Sequence, residues 1–175
     1  AAPAVAPAAP APLAASPPSS TDAGRTPDPL DVDGCTVRVG TAGWTDPTLL
    51  PAGLFYPPGV NTPDARLRHY ASRFPLVEVD SSYYALPTAR VAGLWAERAP
   101  AGFVFDVKAH AIMTGHPVET ARLPRVLRDL LPPSVAGATR VRADELSPAV
   151  TDAAWRLFLD ALAPLAASGK LGSLL

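Results

Sequence analysis

Two short apolar runs carry charged side chains at every second position. Residues 77–82 read VEVDSS, which sets Glu78 and Asp80 two apart. Residues 103–110 read FVFDVKAH, which does the same for Asp106, Lys108 and His110. An extended chain repeats its side-chain direction every second residue. Each charged set therefore shares a face, opposite Val77 and Val79 in one run and Phe103, Phe105 and Val107 in the other. The chemistry on offer is acid–base work: Glu78 or Asp80 as base, Lys108 as a fixed positive charge, and His116 as acid or base from a nearby loop. A histidine titrates near pH about 6.5, so His110 and His116 suit proton transfer. The competing reading is a buried ion-pair network, Glu78 with Lys108 above all, because unpaired buried charges cost several kcal/mol.

Elements that would position these groups follow from periodicity. Residues 36–40, 76–79 and 103–109 read as strands, and 171–175 opens a fourth. Residues 62–74 read as a helix with Thr62 at its N-cap and Pro63 in its first turn. Residues 88–98, a short stretch within 122–131, and 147–167 read as further helices. The alternation of strand and helix predicts parallel strands with right-handed crossovers. In a β/α barrel the apolar strand face meets the helices and the polar face looks inward. That gathers Arg38, Glu78, Asp80, Asp106, Lys108 and His110 at one interior, with Asp80, Lys108 and His110 near the strand C-termini, where barrel sites form.

Loops add two features. Gly40 and Gly43 flank a tight turn at residues 40–43 whose backbone N–H groups are candidates for holding an anion. Trp44, Phe55, Tyr56, Tyr83 and Tyr84 are candidates for an aromatic wall against a ring-bearing ligand, or equally for packing over the barrel top.

Bulk properties bound the function. The chain has 175 residues and a net charge of -1, so no global basic field favours nucleic acid. Residues 1–35 are rich in Ala, Pro and Ser and contain eight prolines. They predict a disordered tail ahead of a domain at 36–175. The tail lacks the basic start of a signal peptide, and no run is long enough for a membrane helix. The single cysteine, Cys35, has no partner and no zinc-ligand spacing around it, which points to a reducing, cytoplasmic setting. The histidines and Asp80 match no standard metal-ligand pattern, so no metal is assigned and no cofactor is identified. GxSxG, Walker A, HExxH and GxGxxG motifs are all missing, against serine hydrolases, nucleoside triphosphatases, zincins and NAD enzymes.

In order, the blocks VGTAGW, LFYPPG, VEVDSSYYALP, WAERAPAGFVFDVKAH and MTGHP resemble the YecE-like family, domain-of-unknown-function family 72. The resemblance spans residues 37–116, and residues 147–175 are similar to the family's lead-in to a fourth strand. It implies a TIM-type (β/α) barrel of unknown activity. Family motif residues carried over by position fall on Thr41, Gly43, Trp44, Tyr56, Glu78, Asp80, Ser81, Tyr84, Lys108 and His116. Ala42 stands where the family has serine, and Asp80 where it has asparagine.

A full barrel takes about 250 residues. The expectation is therefore the N-terminal half of one, about four strands, with open edges that invite self-association. The expected function is a site for a small polar or phosphorylated ligand at the strand C-termini. The alternatives are a nucleic-acid-binding or processing barrel, by analogy of fold, and an inactive fragment.

Overall fold

The computed structural model describes residues 24–51 and 53–175. The chain folds as a mixed α/β structure. Its centre is a three-stranded parallel sheet of β3 (Leu76–Val79), β4 (Val104–Val107) and β7 (Leu171–Leu174), adjacent in that order. Before it come the hairpin strands β1 (Leu30–Val32) and β2 (Cys35–Val37) and the helix α1 (Pro63–Ala71). Helix α2 (Ala89–Arg98) joins β3 to β4. Between β4 and β7 lie the short pair β5 (Val118–Glu119) and β6 (Arg140–Val141), the one-turn helix α3 (Arg125–Arg128), and the long helix α4 (Pro148–Ala167).

Helix starts are set by side chains. Thr62 accepts from the Ala65 N–H, with Pro63 in the first turn of α1. Thr88 accepts from the Val91 N–H at the start of α2. Each replaces a backbone partner that a first turn lacks. Alternation then decides the faces of the sheet. Val77, Val79, Phe105 and Val107 are buried against Leu67 and Tyr70 of α1, Ala92 of α2, and Phe158, Leu162 and Leu165 of α4. All three helices cover the same face. The opposite face carries Glu78 and Asp106, which lie in register.

The end of α2 is closed from a distance. Lys170, just before β7, donates its Nζ to the carbonyls of Ala96 and Ala99, the latter at 2.6 Å. A cation on the orphan carbonyls of a helix C-terminus is favourable. Burial pushes the Lys170 pKa down without removing these contacts. Lys170→Met should lower stability by about 2 kcal/mol, the scale of charged hydrogen bonds. Urea unfolding checks this, and an unchanged midpoint would refute the capping role.

The chain before β3 departs from expectation. Residues 36–40 do not form the first parallel strand, because Cys35–Val37 pairs antiparallel with Leu30–Val32. Asp33 and Gly34 both take positive φ (52° and 78°), the requirement of a two-residue hairpin turn. The parallel contact to β3 is made further on. Glu78 donates its N–H to the Thr41 carbonyl at 3.0 Å, and Gly43 donates to the Glu78 carbonyl at 2.8 Å. Arg38 is accordingly exposed, outside the polar face where alternation had placed it. Part of the predicted tail packs on the fold as well. Thr26 is buried and donates its hydroxyl to the Phe74 carbonyl at 3.0 Å, so the chain is docked from there. Residues 1–23 of the predicted tail lie outside the described residues.

Candidate functional site

The site forms where β3 and β4 end. Residues Asp80–Tyr83 turn over the end of β3 as a single 3-10 turn, and Lys108 follows β4. Ser82 holds the two ends together, since its buried Oγ lies 2.6 Å from both the Val79 and the Lys108 carbonyls. One hydroxyl hydrogen is shared between the two acceptors.

Three charged side chains meet on the polar face. Lys108 Nζ lies 2.8 Å from Asp80 Oδ1 and 3.5 Å from Glu78 Oε1. Its nearer partner is Asp80, the residue next to the turn. The hydrogen bond to Asp80 raises the Lys108 pKa above its ordinary value, aided by the charges of Asp80 and Glu78, so the ammonium stays charged. The Tyr83 ring lies under the same ammonium, 5.5 Å from Nζ to centroid. His116 meets the same ring edge to face, with centroids 5.7 Å apart. The His116 imidazole is exposed and its Nδ1 lies 2.9 Å from Thr114 Oγ1. Glu78, Asp80, Lys108 and His116 thus form one cluster, joined through Tyr83.

Beside the cluster a cavity of about 320 Å³ opens between the loop after Gly40 and the turn after β3. Trp44, Asp46, Asp80, Ser81, Tyr84 and Trp95 line it, with Gly43. Trp44 and Trp95 meet edge to face at 5.7 Å and roof Phe105.

Three candidates from the sequence are spent on structure. Tyr56 is 3% exposed, and its hydroxyl donates to the Trp44 carbonyl, pinning the long loop. Burial pushes its pKa up to about 12. Thr41 donates its N–H to Tyr70 Oη at 2.8 Å and its hydroxyl to the Gly43 carbonyl at 2.7 Å. The Thr41 and Gly43 N–H groups of the turn are thus both committed. His110 is fully buried, its Nδ1 accepting from the Ile112 N–H at 3.3 Å. Burial pushes its pKa down, and the Tyr84 backbone opposes this in part without reaching hydrogen-bonding geometry. It caps the start of the Ala111–Met113 turn. Asp106 is committed too. Its Oδ1 accepts from the Ser173 N–H at 2.6 Å, where β7 bulges against β4.

Among the described residues, no group of three His, Cys, Asp or Glu side chains converges as a metal site, and no helix is long and apolar enough to cross a membrane.

Residues 38–175 match the family described as "Protein of unknown function DUF72". The chain belongs to this family. Over 80 residues it is 39% identical to the UPF0759 protein YunF of Bacillus subtilis (strain 168), a stretch covering 46% of this chain and 26% of that protein. A crystal structure of a DUF72 family protein from Enterococcus faecalis V583 aligns at 22% identity with a TM-score of 0.44, covering 78% of this chain and 37% of that one. A second structure of the same description aligns at 24% identity and a TM-score of 0.41, over 62% and 30% of the two chains. The chain thus spans well under half the length of the relatives it matches.

In this family member, sequence reasoning missed Ser82 and Trp95 as parts of the site. Ser82 sits at a strand end with no alternation signal to mark it. Trp95 reads as one of three apolar residues on a helix face, and only the fold brings it to the cavity.

Proposed function

We propose that this end of the sheet is one arc of a (β/α) barrel and that its cleft binds a small polyhydroxylated ligand. Strand order supports the barrel. The contact at residues 41–43, then β3, β4 and β7, run parallel and adjacent in chain order, with every covering helix on one face. A doubly wound sheet reverses its order and covers both faces.

One observation carries the ligand class: the Lys108 ammonium held between Asp80 and Glu78 beside a cavity walled by indole rings. The charged residues lining the cavity are Asp46 and Asp80, and the adjoining cluster sets two carboxylates against one ammonium, so both are net negative. That balance repels a phosphoryl group and favours hydroxyl donors, so of the polar and phosphorylated ligands expected from the sequence the polar one fits. Carboxylates accept from hydroxyls, the ammonium donates, and aromatic faces cover C–H surface. If the site turns over its ligand, Glu78 is the base, since Asp80 is held more closely by Lys108. Lys108 steadies developing negative charge, and His116 exchanges protons from the loop.

A panel of neutral pentoses and hexoses, titrated against the tryptophan fluorescence of the chain, tests this reading. A saturable change is expected, weakened about tenfold or more by Lys108→Met, the size of a lost charged hydrogen bond. No saturable response from any sugar, or one that Lys108→Met leaves intact, would overturn it.

A further inference from the structure

A second cavity, also about 320 Å³, lies on the far side of Tyr84. Tyr83, Tyr84, Glu119, Arg122 and Arg140 line it, with Val118 at its base. The short β5–β6 pair builds its charged wall. Glu119 and Arg140 are direct cross-strand partners, and Val118 opposite Val141 buries the other side. The pair is tied down at its end, where Thr120 donates its N–H to the Thr139 carbonyl at 3.0 Å and its hydroxyl to the Ala138 carbonyl at 2.7 Å.

The wall is short of acid. Glu119 accepts from Arg122 Nε at 2.8 Å and lies 3.6 Å from Arg140 Nη2, too far for a hydrogen bond. Arg122 thus meets Glu119 through Nε alone, and Arg140 meets it by charge alone. One carboxylate against two guanidiniums leaves a net charge of +1, with terminal guanidinium donors free to take a further acceptor. Planar N–H forks are matched to oxyanions. Two tyrosine rings, 5.1 Å apart, close the opposite wall.

We propose that this cavity is an oxyanion site, taking the phosphoryl or carboxylate group of a small ligand on Arg122 and Arg140. It goes beyond the polyol cleft: the two cavities have Tyr84 in common, and Tyr83 of this one packs against Lys108 of the neighbouring cluster. The two have opposite net charge, so each selects what the other repels. A ligand carrying both hydroxyls and an oxyanion would bridge them over Tyr84.

Inorganic phosphate and acetate, titrated into the full ¹⁵N-labelled chain, test the proposal by NMR. Phosphate or acetate should shift the Arg122 and Arg140 side-chain signals together with the Val118 amide. The double variant Arg122→Gln/Arg140→Gln should weaken binding about tenfold or more. Which of the two anions binds more tightly identifies the oxyanion. The indole signals of Trp44 and Trp95 report the polyol cleft separately, so either site can fail alone. Three results would overturn the proposal. One is no shift with either anion. Another is shifts confined to the cavity of about 370 Å³ at the opposite end of the sheet, lined by Arg25, Arg68 and Arg98. The third is tighter binding of a thymidine oligonucleotide whose affinity falls with salt as several phosphate contacts require, which would make the surface a nucleic-acid site.

Discussion

Replacing Gly40 by alanine should lower stability by about 3 kcal/mol and detach the loop that carries Trp44. A Cβ at residue 40 would stand 2.2 Å from the Leu76 carbonyl oxygen and 2.8 Å from its carbon. Both atoms belong to the backbone of β3, so no side chain can swing away. The loop must lift, and what it makes just beyond Gly40 is lost with it. The two backbone hydrogen bonds joining Thr41 and Gly43 to Glu78 go, as does the clamp from the Thr41 N–H to Tyr70 Oη. Buried hydrogen bonds contribute about 1 kcal/mol each. Trp44 then leaves the wall of the cavity. Gly43→Ala is the comparison. Its φ of 87° strains any side chain, but a Cβ there meets nothing within 4 Å. It should cost about 1–2 kcal/mol and leave the loop docked. Urea unfolding followed by tryptophan emission reads both. If Gly40→Ala unfolds at the same midpoint as Gly43→Ala, the close approach is not what holds this loop.

That contact also shows how far the residues speak for themselves. Helix α1 was legible because Thr62 and Pro63 mark its start, and α2 because its apolar residues recur at helical spacing. β3 and β4 were legible because alternation is strict while a strand lasts, and it set Glu78 and Lys108 on one face. It misled where the strand stops. Counting in twos put His110 beside Lys108, but His110 caps the turn at Ala111–Met113 and its ring is fully buried, whereas Lys108 stays partly open. The hairpin went unseen because Asp33–Gly34 follows a run of prolines that suggested no structure at all. The aromatic residues of the loop were indistinguishable as letters. Trp44 lines the cavity and Tyr56 is sealed beneath it, a difference made by packing against α1 and α2 that local sequence does not encode. The choice of Asp80 over Glu78 as the nearer partner of Lys108 is of the same kind. Both are reachable from the same face, and the turn after β3 brings one carboxylate closer.

Alkaline pH should unfold this domain through its buried tyrosines. Burial holds the Tyr56 hydroxyl at a pKa of about 12, against 10.0 for a free side chain. Tyr70 is raised by burial as well, opposed in part by its hydrogen bonds with Thr41. In each case the folded pKa lies above the unfolded one. The unfolded chain therefore loses its protons first as pH rises. The stabilisation is fully present below about pH 10 and disappears as pH climbs towards about 12. For Tyr56 the difference of roughly two pKa units corresponds to about 3 kcal/mol at 1.36 kcal/mol per unit. Lys108, with its pKa also raised, acts in the same direction, though its exposure to solvent makes it a smaller term. Tyr56→Phe separates the contributions. It forfeits the hydrogen bond to the Trp44 carbonyl, so at about pH 8 it should be less stable than the parent by about 1 kcal/mol. It also removes the titrating group, so its stability should fall less steeply above about pH 10 and the two curves should converge or cross. Urea unfolding at a series of pH values measures both slopes. Parallel curves for the parent and Tyr56→Phe from about pH 10 to 12 would mean that this hydroxyl ionises in the folded chain as readily as in water, and that the loop over the cavity is open to solvent.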